Sequence, residues 1–160
     1  MIVISDTGPL AYLVSIGAGE FLPHLYGEVF IPPTVFQELG HPHSPVCDWI
    51  ASHPAWLKVV APNKLLSDAA LDQGEREAIS LAVEMKADML LVDEKRGRAA
   101  ARNYGLKIAG TLGVIVDGHA NGLFDGSAPL DRLATTNFYA SAELLSEVRY
   151  ALAKHTKKPR

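Results

Sequence analysis

Two apolar runs in this chain end directly at carboxylates. Ile2-Val3-Ile4 is stopped by Ser5-Asp6, and Met89-Leu90-Leu91-Val92 is stopped by Asp93. Runs this short and this uniformly apolar read as strands buried on both faces rather than as helices. Glu28–Ile31, Leu57–Val60 and the short Lys107-Ile108 repeat the pattern. Helical stretches lie between them, at Leu10–Ile16, Thr34–Leu39, Val46–Ser52, Gln73–Lys86, Lys95–Tyr104 and Thr111–Ala120. Two more, Leu130–Thr135 and Ser141–Lys154, complete the chain. Strands alternating with helices imply an α/β fold, a three-layer α/β/α sandwich around a central, mainly parallel sheet. In such sheets the ligand crevice lies at the carboxyl ends of the strands, where Asp6 and Asp93 converge.

The chain has 160 residues, enough for one substantial core, and nothing in it resembles a linker. Residues 1–153 are expected to form a single domain, and 154–160 a basic, disordered tail. With 48% hydrophobic and 21% charged residues the composition is globular. A single cysteine, Cys47, excludes an internal disulfide framework and a thiolate-ligated zinc. No apolar stretch approaches the ~20 residues of a membrane helix. The N-terminus lacks a basic region before its apolar run and does not read as a signal peptide, so a reducing cytoplasm is expected. A net charge of −3 argues against broad electrostatic coating of nucleic acid while allowing a local site.

Two further acids join Asp6 and Asp93 as candidates. Glu38 sits on the helix that follows the second strand. In the Gly74-Glu75-Arg76-Glu77 stretch, helical spacing puts Glu75 on the face of Ala78, Ala82 and Met85, toward the core. Glu77 falls with Ser80 and Glu84 on the face expected to be wet. Glu75 also completes a capping box with Asp72, and the two roles are compatible. Lys95, Arg98 and Arg102 recur along the helix after Asp93 as a basic stripe, which suits phosphate contacts as well as an ordinary solvated face.

These pieces carry a resemblance. Ser5-Asp6-Thr7-Gly8-Pro9-Leu10, Pro32-Pro33-Thr34-Val35-Phe36-Gln37-Glu38-Leu39, Gly74-Glu75-Arg76-Glu77-Ala78-Ile79, and Leu90 to Ala99 with Asp93 and Glu94 follow one another as they do in PIN-domain proteins. The chain is similar to the small prokaryotic, VapC-related members of that group, and Gly110-Thr111-Leu112-Gly113 fits a subgroup of them. The resemblance implies a Mg²⁺- or Mn²⁺-dependent endoribonuclease that hydrolyses RNA phosphodiesters with a metal-activated water. Asp6, Glu38, Glu75 and Asp93 match the family's catalytic, metal-binding quartet. Many relatives carry Asp at the third of these positions, and Glu77 stands close by as the other choice. Thr7, Glu77 and Glu94 would support the quartet from outside it, with Lys95, Arg98 and Arg102 on RNA phosphates. The resemblance also implies the toxin role of a toxin–antitoxin pair, a cognate antitoxin and a homodimer. A catalytically inactive PIN-like module that binds nucleic acid or protein is the alternative.

Other signals lead elsewhere and are weaker. Asp6-Thr7-Gly8 is the aspartic-protease tripeptide, but that family is all-β. His41 and His43 have few partners for a zinc site. Gly110-Thr111-Leu112-Gly113 lacks the Lys-Ser/Thr ending of a P-loop, and Thr111 reads simply as the opening of a helix. Trp49 and Trp56 suit a core or interface better than a base-stacking groove.

Overall fold

The computed structural model describes residues 1–155. Five strands, β1 (Val3–Ser5), β2 (Val29–Ile31), β3 (Leu57–Val59), β4 (Met89–Leu91) and β5 (Ile108–Ala109), form one sheet. Helices connect them, α1 (Thr7–Ser15), α2 (Leu22–Tyr26), α3 (Pro33–Leu39), α4 (Cys47–Ala51), α5 (Gln73–Glu84) and α6 (Lys95–Asn103), and α7 (Thr111–Ala120) leaves the end of β5. Helices α8 (Ser127–Leu133) and α9 (Ala142–His155) follow the last strand. All four strand pairings are parallel, in the order β3-β2-β1-β4-β5, with Val3 opposite both Val29 and Met89. The chain steps outward from β1 to β2 and β3, then returns to the other side of β1 to lay down β4 and β5. The gap beyond the carboxyl ends of β1 and β4 is therefore the switch point of the sheet, the place where such folds bind ligands.

Alternation along each strand divides the core. Val3 and Leu91 face one layer, with Leu10 and Leu13 of α1, Val35 and Leu39 of α3, and Ile115 of α7. Ile4, Leu90 and Val92 face the other, against Ala78, Ile79 and Leu81 of α5 and Ala100 and Ala101 of α6. Both faces are covered, so the strands can be apolar throughout. Trp49 and Trp56 pack against each other, 5.8 Å between centroids, beside the first of these layers. No helix among the described residues is long and apolar enough to cross a membrane.

Several elements differ from the sequence reading, among them α8, which starts at Ser127 rather than Leu130. Helix α1 starts at Thr7 rather than Leu10. Asp6 takes the extended N-cap conformation, and Pro9 falls in the first turn, where its missing N–H is not needed. A 3₁₀ turn at Gly19–Phe21 and the short α2 fill a segment whose pattern predicted nothing. Helix α9 continues through Lys154 and His155, its acid in the first turn and bases in the last, an arrangement that favours a helix dipole. The remainder of the expected tail, 156–160, lies outside the described residues.

Candidate active site at the carboxyl ends of the strands

Asp6 continues β1 by one residue. Its amide donates to the Leu91 carbonyl at 2.9 Å, so the β1–β4 pairing fixes its backbone at the switch point. The side chain caps nothing in α1 and is only 7% exposed. Burial, reinforced by the charges of Glu75, Asp72 and Glu38, raises its pKa to about 7 against the pull of the Thr7 amide. Three other acids thus lie within electrostatic reach of Asp6. One of them, Asp72, had been read from the sequence as a helix cap alone.

Glu75 is 3% exposed and divides its carboxylate between two tasks. The capping box is formed: Glu75 N–H donates to Asp72 Oδ1 at 2.8 Å, and Glu75 Oε1 accepts from the Asp72 amide at 3.2 Å. Oε2 is buried without a hydrogen-bond partner. It rests against α6, where a Cβ on Gly97 would come within 2.8 Å of it, so only glycine admits the carboxylate there. Burial raises the Glu75 pKa, and the Arg96 charge works in the opposite direction.

Glu38 and Asp93 are held by hydroxyl donors. Thr7 Oγ1 donates to Glu38 Oε2, tying the start of α1 to α3. Glu38 Oε1 lies 2.7 Å from where a Cβ on Gly74 would stand, which puts this exposed carboxylate over the start of α5. Asp93 is half-buried, and both of its oxygens are occupied. Oδ1 accepts the Thr111 N–H and Oδ2 the Thr111 hydroxyl, each at 2.7 Å. Burial raises its pKa while the Thr111 bonds and the Arg98 charge lower it. A Cβ on Gly8 would stand 3.4 Å from Asp93 Oδ2, so Asp93 adjoins the segment that carries Asp6.

The supporting residues fall out differently from the sequence reading. Glu77 is not on a wet face: it is 7% exposed and accepts the Thr34 hydroxyl, the Thr34 N–H at 3.3 Å and the Gln73 amide at 2.7 Å. Ser80, on the same face, is buried and accepts the Leu66 N–H at 2.9 Å. The segment between β3 and α5 and the start of α3 cover the side of α5 that its periodicity assigns to solvent. Glu77 thereby clamps α3 onto α5 and helps hold Glu38 over Gly74. Glu94 is exposed at the start of α6, and its side chain forms no cap. Thr111 does more than open a helix, because its hydroxyl goes to Asp93 rather than capping α7. The available signal was positional: Gly110-Thr111 follows β5 as Asp93 follows β4, so both reach the same sheet edge.

The acids meet at one edge without closing into a cage. Among the described residues no three His, Cys, Asp or Glu side chains are grouped closely enough to hold a metal ion as they stand. Asp93 and Glu38 point their oxygens at threonine donors, and one oxygen of Glu75 is spent on the capping box. The donor chemistry nevertheless fits a hard cation. Every candidate ligand is an oxygen, Glu75 presents an orphaned one, and the only ion pairs described, His119–Asp125 and Arg149–Asp131, involve none of these acids. Lys95 and Arg98 line a cleft of 940 Å³ that reaches the site at Asp93 and Glu94. Arg102 is exposed and outside that lining, so the basic stripe reaches the site with two of its three members.

This combination of a 3-2-1-4-5 parallel sheet and acids gathered at its switch point defines a PIN-like α/β protein. A family model described as DUF3368: PIN domain matches residues 2–154, and the chain belongs to the PIN-domain family. Among solved structures, the chain is similar in fold to a PilT N-terminus domain protein from the hyperthermophilic archaeon Sulfolobus solfataricus P2. Identity is 17% and the TM-score 0.54, with 88% of this chain and 100% of that one covered. The comparison with curated proteins finds no match.

Proposed function

We propose that this chain is a divalent-metal-dependent endoribonuclease whose reacting centre is the acidic group at the β1–β4 switch point. Membership of a family that is typically nucleolytic supports the class. The observation that carries the reading is the pairing of Asp6, its pKa raised by burial and further by its acidic neighbours, with the unpartnered oxygen of Glu75, whose charge reaches Asp6. A fold tolerates such a pair when something positive completes it. Asp6 and Glu75 would hold Mg²⁺ or Mn²⁺, with Glu38 and Asp93 next to them. A bound ion of this kind neutralises a phosphate oxygen and lowers the pKa of water. The chain's own residues supply the rest. Thr7 and Thr111 fix the orientations of Glu38 and Asp93. Lys95 and Arg98 offset the negative potential along the approach, so that a polyanion can come near.

The toxin role, a cognate antitoxin and a homodimer belong to the same proposal and rest on the resemblance alone, while a cytoplasmic setting rests on the sequence reading of the N-terminus and the single cysteine. The second reading, a non-catalytic PIN-like binding module, is favoured by the absence of a preassembled ligand set among the described residues. Purified protein with Mg²⁺ or Mn²⁺ and unstructured RNA separates the two. The nuclease reading expects cleavage abolished by EDTA and reduced at least about a hundredfold in both Asp6→Asn and Asp93→Asn. Equal cleavage by all three proteins, or by none, contradicts it.

A further inference from the structure

The cleft beside Asp93 runs along β5 and α7 toward the turn that precedes α9. Its floor is apolar, with Ile108, Leu112 and Val116. Lys95 and Arg98 of α6, with Lys107 at the approach to β5, supply the positive charge of its lining. Four acids also line it: Asp93 and Glu94 at the site end, Asp117, which receives the Tyr26 hydroxyl at 3.2 Å, and Glu147 on α9. At the lip is Tyr139, 86% exposed, a ring with no packing duty in the fold. The turn that presents it is nonetheless anchored. The Tyr12 hydroxyl donates to Asn137 Oδ1 at 2.8 Å, and Phe138 meets Tyr12 edge-on, with 5.0 Å between centroids. Tyr12 lines the cleft together with Asp93 and Glu94.

An apolar floor, an exposed ring on an anchored turn and cations along one side match the parts of a nucleotide: a flat base with two π faces joined to a phosphate. Pockets of about 300–1,000 Å³ enclose small-molecule ligands. A nucleotide or two of a single strand fits a cleft of this size. We propose that this cleft is a base subsite, in which a nucleotide of single-stranded RNA next to the scissile phosphate stacks on Tyr139 while Lys107 and Arg98 contact the adjoining phosphates. The subsite rests on the nuclease reading above, and it assigns Tyr139 and Lys107 roles that the acidic quartet does not cover.

Fluorescence anisotropy of a labelled single-stranded oligoribonucleotide tests it, with Mg²⁺ present and Asp6→Asn as the background so that the strand stays intact. Tyr139→Ala is expected to weaken binding about tenfold and Tyr139→Trp to retain it. Lys107→Glu is expected to weaken binding and to lower the salt-dependence slope by about 0.7. Tyr150→Ala, a 74% exposed tyrosine outside the cleft lining, serves as the control that leaves affinity unchanged. In proteins that retain Asp6, Tyr139→Ala raises KM for RNA cleavage and spares kcat. Unchanged affinity in both Tyr139→Ala and Lys107→Glu overturns the subsite. If RNA is still cleaved, the nuclease reading survives that result, and the cleft is left to a protein segment. A chain that neither binds nor cleaves RNA overturns both.

Discussion

The two halves of the acidic site are built on opposite principles. On the α5 side, Asp6 and Glu75 are almost fully buried, raised in pKa by burial and by one another's surroundings, and left with an unpartnered oxygen. On the α7 side, Asp93 has two short hydrogen bonds from one threonine, and nothing about it is unsatisfied. The first half carries electrostatic strain that a cation would relieve. The second carries fixed geometry. A site with only the first would be loose, and a site with only the second would have no reason to recruit an ion.

The sharpest way to break this contrast is to neutralise one acid from each half and measure melting as well as cleavage. Both substitutions are expected to remove cleavage, yet their stabilities should diverge. Asp6→Asn is expected to raise the melting temperature of metal-free protein above neutral pH, because it deletes a buried charge among like charges. Asp93→Asn is expected to lower it, through a loss of about 1–2 kcal/mol of stability, because an amide offers one acceptor to two Thr111 donors. Shifts of the same sign would abolish the distinction. Gly97→Ala probes the buried half directly, placing a methyl where Glu75 Oε2 and Val92 Cγ2 already lie, 2.8 and 2.9 Å away. Chemical denaturation should record a loss of about 1–3 kcal/mol, the cost of overpacking. Thr111→Val keeps the shape and one donor while deleting the hydroxyl. It is expected to lower cleavage about tenfold at fixed metal concentration, as removal of a carboxylate's supporting bond does.

The buried half of the site also predicts a slope of stability with pH. With its pKa at about 7 when folded against 3.8 when free, Asp6 holds a proton in the native state that the unfolded chain releases. Below pH 3.8 both states are protonated and the group costs nothing. Between these values stability falls as pH rises, and above about 7 the loss is complete. Melting of metal-free wild type from pH 4 to 8, beside Asp6→Asn, isolates this contribution, since the variant lacks it.

Much of the architecture could be read from residues. The strands ending at Asp6 and Asp93 announced themselves as apolar runs broken by acids, and α7 was bounded correctly by Gly110 and Ala120. The capping box predicted at Asp72 and Glu75 is present. The same spacing that placed Glu75 inward misjudged Glu77. Periodicity reports which face of a helix is apolar, and it cannot reveal that Thr34 and the segment before α5 will close over the polar face. The Thr111 role was hidden for a related reason. Asp93 and Thr111 are 18 residues apart, and only the adjacency of β4 and β5 makes them partners. That Thr7 donates to one Glu38 oxygen and Thr111 to both Asp93 oxygens is a detail no spacing rule contains.

The central claim is that acids distant in the chain converge to hold a hard divalent ion, and metal-dependent melting tests it without reference to any substrate. Mn²⁺ or Mg²⁺ added to metal-free wild type at pH 7.5 should raise the melting temperature saturably, following the linkage of binding to folding. Asp6→Asn should show little of that rise. A wild-type protein whose melting is indifferent to millimolar Mn²⁺, or one stabilised equally with and without the Asp6 carboxylate, would contradict the account.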